Sequence, residues 1–164
     1  MTGKEVIIKG NEKIINTLNN LLADELTSIN QYMVHSEMCN NWGYNRLHEK
    51  VEKRAILEMK HAEKIIARIL FLEGRPIVSK LNKIHIGDDV KSQLTNDLSA
   101  ELDAEIKYNN GIKEAVEVGD NVTRELFESI LKDEEEHIDW LEAQRDQIEH
   151  YGMENYLANQ IFKE

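Results

Sequence analysis

Two helical stretches of this sequence each carry a glutamate followed three residues later by a histidine. They are Glu58 with His61 in "LEMKHA" and Glu134 with His137 in "DEEEHI". Residues three apart share a face of an α-helix, so each motif presents a carboxylate and an imidazole in the same direction. This ligand set suits iron, manganese or zinc. One such motif arises by chance in a Glu-rich helical chain, so only a wider pattern can indicate a metal site.

The two motifs belong to an internal repeat. Related residues of its two halves are separated by 76 positions, and within each half the two glutamates are 33 positions apart. This spacing indicates two equivalent helix pairs, which would deliver equivalent ligands to two adjacent metal ions if they pack with approximate two-fold symmetry. The residues related by the offset are Glu25 and Glu101, Tyr32 and Tyr108, Glu58 and Glu134, and His61 and His137.

The helices that must position these residues can be predicted from composition and turn signals. One proline and eight glycines in 164 residues favour an all-α fold. A stretch of about 16 residues without a helical pattern separates the second helix from the third, which predicts a four-helix bundle with one long crossover. A short fifth helix follows. Within a single domain, residues 1–164, the predicted helices span about 11–41, 45–72, 89–118, 122–150 and 153–162.

Each long helix places one glutamate among its predicted core positions. Four buried carboxylates are strongly unfavourable unless they take up protons or a positive charge balances them. We expect no lysine or arginine beside the four glutamates on these core stripes. Two divalent cations would carry four positive charges against the four carboxylates, so the pattern predicts a dinuclear metal centre inside the bundle.

Composition limits the partners of the chain. With 31 acidic and 20 basic residues the net charge is -11, which disfavours nucleic acid and anionic membranes and suits cations, although a well-solvated surface explains it equally well. The single cysteine, Cys39, excludes an intramolecular disulfide and favours a reducing compartment. No stretch approaches the roughly 20 apolar residues of a membrane span, and no signal peptide is recognisable. We therefore expect a cytoplasmic protein.

Five segments resemble the bacterioferritins, haem-containing bacterial ferritins of the ferritin-like di-iron superfamily: "ADELTSINQY", "EMKHAE", "RILFLEG", "LSAELDAE" and "DEEEHIDWLE". The resemblance covers nearly the whole chain. It implies a ferritin-like bundle and a ferroxidase, which oxidises Fe(II) to Fe(III) with O2 or H2O2. It also implies iron storage and detoxification in a hollow homo-oligomer, a 24-mer built from two-fold dimers, that encloses ferric mineral.

The resemblance further implies the roles of the repeated residues at a di-iron centre. Tyr32 would donate a hydrogen bond near the centre or supply an electron, although a core tyrosine with a satisfied hydroxyl fits equally well. Tyr108 is similar, with less support from the family. Glu25 and His61 would bind one iron, Glu101 and His137 the other, and Glu58 and Glu134 would bridge them.

Met59 points about 130° away from the mean direction of the two ligands that flank it, because successive helical residues are rotated by 100°. It belongs to a second apolar stripe with Ile56, Ile66 and Leu70, which indicates a subunit interface. The resemblance implies that Met59 is an axial ligand of haem b shared by two subunits, for electron transfer and iron release, with a reducing ferredoxin as a candidate partner. Without the resemblance, Met59 is better explained as an adaptable interface residue.

One departure and two alternatives qualify this interpretation. Where some bacterioferritins carry a His and an Asp for an additional inner-surface iron site, this chain has Lys53 and Leu57, with Arg54 beside them, which puts that additional site in doubt. A rubrerythrin-like di-iron peroxidase is one alternative, although the paired CxxC motifs of a rubredoxin domain are missing. A haem-binding bundle protein without ferroxidase activity is the other, although the ligand set is complete.

Overall fold

A computed structural model describes residues 9–163 and shows four long helices followed by a short one. The predicted all-α bundle is confirmed, and the described residues contain no strand. Side-chain caps mark the starts of three of the four long helices. The helices are α1 (Glu12–Asn41), α2 (Asn45–Phe71), α3 (Val90–Glu117), α4 (Asn121–Tyr151) and α5 (Met153–Ala158).

Two of these caps involve aspartate. At α3, Asp89 and Ser92 form a capping box in which the side chain of each residue accepts a hydrogen bond from the backbone N–H of the other. At α4, Asp120 accepts a hydrogen bond from the backbone N–H of Thr123, and it also forms a 2.6 Å ion pair with Arg68 of α2. Such caps stabilise a helix start by about 1 kcal/mol. The Asp120 pair also fixes α2 against α4.

The predicted fifth helix is too long, because α5 ends at Ala158 and not at residue 162. Beyond it the chain turns back toward the start of α2. The backbone carbonyl of Gln160 accepts from the N–H of Arg46, and that of Ile161 accepts from the Asn45 side chain. Because these carbonyl groups accept hydrogen bonds from α2, they do not point along the axis of α5 as they would in a continued helix.

The long crossover between α2 and α3 follows α1 along the bundle. Successive backbone N–H groups along the crossover donate to successive side chains along α1. The crossover therefore runs in the same direction as α1 for about 24 Å. The end of α2 and the start of α3 therefore lie at opposite ends of the bundle, which makes α2 and α3 parallel. The pairs are Ile77 with Asn19, Asn82 with Thr27, His85 with Gln31, and Gly87 with His35.

Two apolar clusters fill the core, one toward each end of the bundle. One contains Leu18 of α1 and Phe127 of α4, and the other contains Leu47 of α2 and Leu141 of α4. The buried glutamates and histidines of the four long helices lie between the two clusters in sequence. None of the helices within residues 9–163 is long and apolar enough to cross a lipid bilayer.

Candidate metal centre

The structure brings all six predicted ligands together between the two apolar clusters. None of their residues exposes more than 6% of its surface, so the group is removed from bulk water. Each long helix contributes one glutamate, and α2 and α4 contribute one histidine each. The six residues are Glu25, Glu58, His61, Glu101, Glu134 and His137.

Three of the glutamates converge on His61. We call the group of four the His61 half: Glu25, Glu58, His61 and Glu134. One ligand atom of each lies within 4.8 Å of those of the other three. His61 Nδ1 lies 3.1 Å from Glu58 Oε2, 3.4 Å from Glu134 Oε1 and 3.5 Å from Glu25 Oε2. On the other side of the ring, Nε2 lies 2.8 Å from Asp133 Oδ2. The Asp133 carboxylate therefore holds the ring with Nδ1 directed at the three glutamates.

The other side of the centre, the His137 half, consists of Glu101 and His137. His137 Nδ1 lies 2.7 Å from Glu101 Oε1. The imidazole ring stacks on Trp140 at a centroid distance of 5.8 Å and meets Tyr32 edge-on at 5.5 Å. These contacts fix the orientation of His137 with two aromatic rings, whereas a carboxylate fixes that of His61.

Arg54 of α2 lies between the two halves and is only 6% exposed. Its Nη2 lies 2.7 Å from Glu58 Oε1, 3.0 Å from Glu134 Oε2 and 3.3 Å from Glu101 Oε2. Its Nη1 donates to the backbone carbonyl of Asp133. The expectation that no basic residue lies beside the four glutamates was wrong. Arg54 precedes Glu58 by four residues, a spacing that already places both side chains on one helix face.

The two tyrosines related by the repeat, Tyr32 and Tyr108, each donate a hydrogen bond to a glutamate across the centre. The hydroxyl of Tyr32 donates to Glu101, and the hydroxyl of Tyr108 donates to Glu25. Burial, followed by nearby carboxylates such as Glu101 for Tyr32 and Glu25 for Tyr108, raises the pKa of both phenols well above the usual range. Both hydroxyls therefore keep their protons and act as donors. Each bond joins α1 to α3 across the centre.

The four carboxyl groups have two different protonation states. Burial, and then the charge of Glu58, raises the pKa of Glu25 and of Glu134 well above the usual range. Burial also opposes the ionisation of Glu58 and Glu101. Hydrogen bonds from Glu25 and Glu134 respectively, together with the charge of Arg54, nevertheless lower the pKa of both. Glu58 and Glu101 are therefore ionised, and each accepts a hydrogen bond from a protonated partner.

His61 carries the second positive charge of the group. Burial lowers its pKa, but hydrogen bonds with Glu134, Glu25 and Glu58 outweigh this and raise the pKa to about 12. Without a metal ion, the charges of Arg54 and His61 therefore balance two ionised carboxylates. A divalent cation that binds here must displace protons from the imidazole and the carboxyl groups.

The donors of the His61 half fit a divalent metal ion. Among the described residues, Glu25 Oε2, Glu58 Oε1 and Glu134 Oε1 are buried and lack a well-aligned hydrogen-bond donor. The nearest cationic group is His61 for Glu25 and Glu134, and Arg54 for Glu58. Such acceptors are costly unless a proton or a cation satisfies them. Three carboxylates and an imidazole suit iron, at distances that small side-chain shifts can close. In the His137 half the donors are present, but the Arg54 guanidinium lies among them.

Sequence reasoning missed two residues of the centre, Arg54 and Asp133. The i, i+4 spacing to Glu58 was the available signal for Arg54. Asp133 immediately precedes Glu134, and its contact with His61 joins residues 72 positions apart, for which the sequence contains no local signal. The repeat indicates only that the two halves differ at this position, because the residue equivalent to Asp133 is Leu57.

Met59 points away from the centre, as the helical geometry predicts. Its side chain is 41% exposed, and Ile56 and Leu70 of the same predicted stripe are exposed as well. The fourth member, Ile66, is instead half-buried and packs against the core. On the adjacent helix α1, Met33 is half-exposed as well. Exposed apolar side chains on two adjacent helices form a surface that suits a protein–protein contact.

Comparison with known proteins agrees with this geometry. The sequence pattern of a family described as a ferritin-like domain matches residues 15–151. The bacterioferritins of Brucella melitensis biotype 1 and Rhodobacter capsulatus are each 42% identical to this chain over 149 residues, which cover 91% of this chain and 92% of theirs. This chain belongs to the bacterioferritin family. The bacterioferritin of Mycolicibacterium paratuberculosis is 39% identical over 151 residues, which cover 92% of this chain and 95% of that protein. Membership of the bacterioferritin family supports a role in iron storage.

Proposed function

We propose that this bacterioferritin family member stores iron by oxidising Fe(II) to Fe(III) at the buried carboxylate–histidine centre. The observation that carries the proposal is the convergence of Glu25, Glu58, His61 and Glu134, whose ligand atoms lie within 4.8 Å of one another. Fe(II) is the substrate of this reaction. Glu101 and His137 would complete the centre for a second ion, with Glu58 and Glu134 shared between the two.

Each side chain has a distinct task in this reaction. Asp133 holds the His61 ring, and the two buried tyrosine hydroxyls hold Glu101 and Glu25. Two Fe(II) ions supply one electron each. O2 takes both electrons with two protons and leaves as H2O2, whereas H2O2 takes both with two protons and leaves as water. The protons displaced from the raised-pKa carboxyl groups of Glu25 and Glu134 are a source for this step.

The charge and the outer face support the remaining parts of the proposal. A net charge of -11 attracts cations to a hollow shell, and we propose that ferric mineral is deposited inside a cytoplasmic 24-mer built from two-fold dimers. The exposed thioether of Met59, on the same helix as exposed Ile56, would be available to ligate haem b between two subunits. Haem would supply one-electron transfer for iron release, with a ferredoxin-type protein as the reductant.

The ferroxidase step is tested by the rate of Fe(II) oxidation after O2 is added to protein loaded with Fe(II) under nitrogen. Glu134→Ala removes a carboxylate shared by both halves and should abolish the rapid phase while leaving any haem bound. The matched control is Glu135→Ala, because Glu135 is the adjacent, exposed residue of α4. Equal rates in both variants would refute the proposed site.

The haem assignment has an independent test. Met59→Leu should remove the Soret absorbance of haem and leave Fe(II) oxidation largely intact. The control Met33→Leu, at another exposed methionine, should retain the haem. An unchanged haem spectrum in Met59→Leu would show that the axial ligand lies elsewhere. A 24-mer of 19.1 kDa subunits should elute at roughly 450 kDa.

One observation favours a second candidate, a haem-binding bundle protein without ferroxidase activity. Arg54 contacts Glu58, Glu101 and Glu134, and a guanidinium that never leaves these carboxylates would keep one half closed to metal. This candidate predicts haem binding with no Fe(II)-dependent O2 uptake by the native protein. Rapid O2 uptake by the native protein would exclude this candidate. If the oligomer that takes up O2 is a large shell, the result also favours iron storage over a small peroxidase.

A further inference from the structure

Glu58 and Glu134 divide their oxygens between two cationic side chains. Glu58 Oε2 and Glu134 Oε1 face His61 at 3.1 Å and 3.4 Å. The second oxygens, Glu58 Oε1 and Glu134 Oε2, face Arg54 Nη2 at 2.7 Å and 3.0 Å, and Glu101 Oε2 completes this group at 3.3 Å. The guanidinium therefore contacts the carboxylate oxygens that a cation in the His137 half would need.

We propose that Arg54 is a built-in competitor of the second metal ion, so that divalent cations fill the centre in a fixed order. The first ion binds in the His61 half, and the second enters the His137 half only when the guanidinium of Arg54 withdraws. The inference rests on the proposed function, because it assigns a loading order to the same centre.

Two features of the contact make the competition strong. A guanidinium cannot be neutralised by losing a proton, so it remains a cation among these carboxylates. It must therefore move before a divalent ion can bind the same oxygens, because the guanidinium already occupies them and two positive charges at one oxygen repel each other. Arg54 also binds the backbone carbonyl of Asp133 through Nη1, a bond that has to break when the side chain moves.

The competition affects one half only. The repeat offset of 76 positions relates Arg54 to Ile130, which is fully buried and apolar. No equivalent cation therefore faces the His61 half from α4. The offset likewise relates Asp133, which contacts His61, to Leu57. The His61 half thus has a supporting carboxylate and no competitor, whereas the His137 half has a competitor and an apolar residue.

The structure also contains a place for the withdrawn side chain. Arg54 lines a surface cleft of about 160 Å³ between α2 and α4. His137 lines the same cleft, so the cleft connects the His137 half to the surface. The carboxylate of Glu136 lies on its α4 side and can receive the guanidinium through a rotation of the Arg54 side chain. A flexible stem of this length allows that movement without a change in the helix.

Calorimetric titration with Co(II) under nitrogen tests this order without relying on enzyme activity. The native protein should bind two ions per subunit, the second at least about tenfold more weakly than the first, as expected for two coupled sites. Arg54→Gln removes the charge, and the ratio between the two affinities should then shrink by at least about threefold. Lys53→Gln is the matched control, because Lys53 is the adjacent exposed cation of the same cleft, and its two affinities should remain as far apart as in the native protein.

Each other result overturns a distinct claim. Two equally strong ions in the native protein, or an unchanged difference in Arg54→Gln, would overturn the role of Arg54 while the proposed metal centre stands. No buried Co(II) in either protein would overturn the proposed function itself. If Arg54→Gln does not fold, Arg54→Lys replaces it, since a shorter ammonium reaches fewer of the three carboxylates. The second ion should then bind more tightly than in the native protein, and an unchanged affinity would reject the competition.

Discussion

His61 and His137 are related by the 76-residue repeat, and each lies within about 3 Å of a buried glutamate oxygen. Their surroundings nevertheless differ. His61 is held by the Asp133 carboxylate, whereas His137 is held by the Trp140 ring, and the carboxylates on its side contact Arg54. The repeat therefore equalises the metal donors but not the residues that orient and neutralise them.

The difference lies at two positions of each histidine-bearing helix, one residue and four residues before the Glu-x-x-His glutamate. On α4 these positions hold Asp133 and Ile130, and on α2 they hold Leu57 and Arg54. The position four residues before the glutamate is buried on both helices, whereas the position one residue before it is half-buried and lines the surface cleft between α2 and α4. Residues that bind no metal themselves can therefore make one half of a symmetric donor set ready for a cation and leave the other half blocked.

Removing one glutamate from either half should have the largest effect on metal binding, and the effect should differ between the halves. Glu25→Ala takes a donor from the His61 half, so the tighter Co(II) ion should bind about a hundredfold more weakly or not at all. Glu101→Ala should leave that ion in place, because Glu101 is not among the four converging ligands. The measurement is calorimetric titration under nitrogen. Equal loss of the first ion in both variants would mean that the halves fill interchangeably.

Asp133→Asn should produce the next largest effect. Asn is a neutral and weaker acceptor for the His61 Nε2 proton and can turn its NH2 group toward the ring instead, so the ring is held less firmly and the first ion should bind about 10- to 100-fold more weakly. Asp139→Asn, an exposed position on the same helix, is the control. The titration should show no change for the second ion. If both ions weaken equally, Asp133 acts on the whole centre and not on His61.

Leu57→Asp should make the two halves more alike. It places a carboxylate at the position equivalent to Asp133, where it can orient His137 and offer Arg54 another partner. The second ion should bind about tenfold more tightly, with little change in the first. Leu57→Asn has a similar size without the charge and should leave the second ion unchanged. An equal gain in both variants would attribute the effect to loss of the apolar side chain.

The two tyrosines provide the smallest contrast, because here the halves are equivalent. Tyr32→Phe and Tyr108→Phe each remove one buried hydrogen bond to a carboxyl group, so each should lower the free energy of unfolding by about 1–3 kcal/mol. Tyr151→Phe, at a residue that is 67% exposed, should have no measurable effect. Chemical denaturation of the metal-free protein measures all three. A loss confined to one variant would show that the crossed bonds are not equivalent.

Much of the fold followed from the sequence for local physical reasons. Helix-favouring composition and breaks at glycine, asparagine and proline predicted four long helices with ends close to those observed. The helical period predicted that Glu58 and His61 face inward while Met59 faces outward, and their exposures agree. The end of α5 was not predictable in the same way, because hydrogen bonds to the start of α2 determine where the chain turns.

The sequence by itself determined which donors the centre contains, because a repeat of 76 positions and a helical period fix residue types and faces. Only the tertiary structure decided how those donors are neutralised and supported. Arg54 could have extended into solvent, as long cationic side chains usually do. It turns inward because carboxyl groups from α2, α3 and α4 meet there. The buried charges of Glu58 and Glu101, with the carboxyl group of Glu134 beside them, stabilise a guanidinium that no single helix could hold.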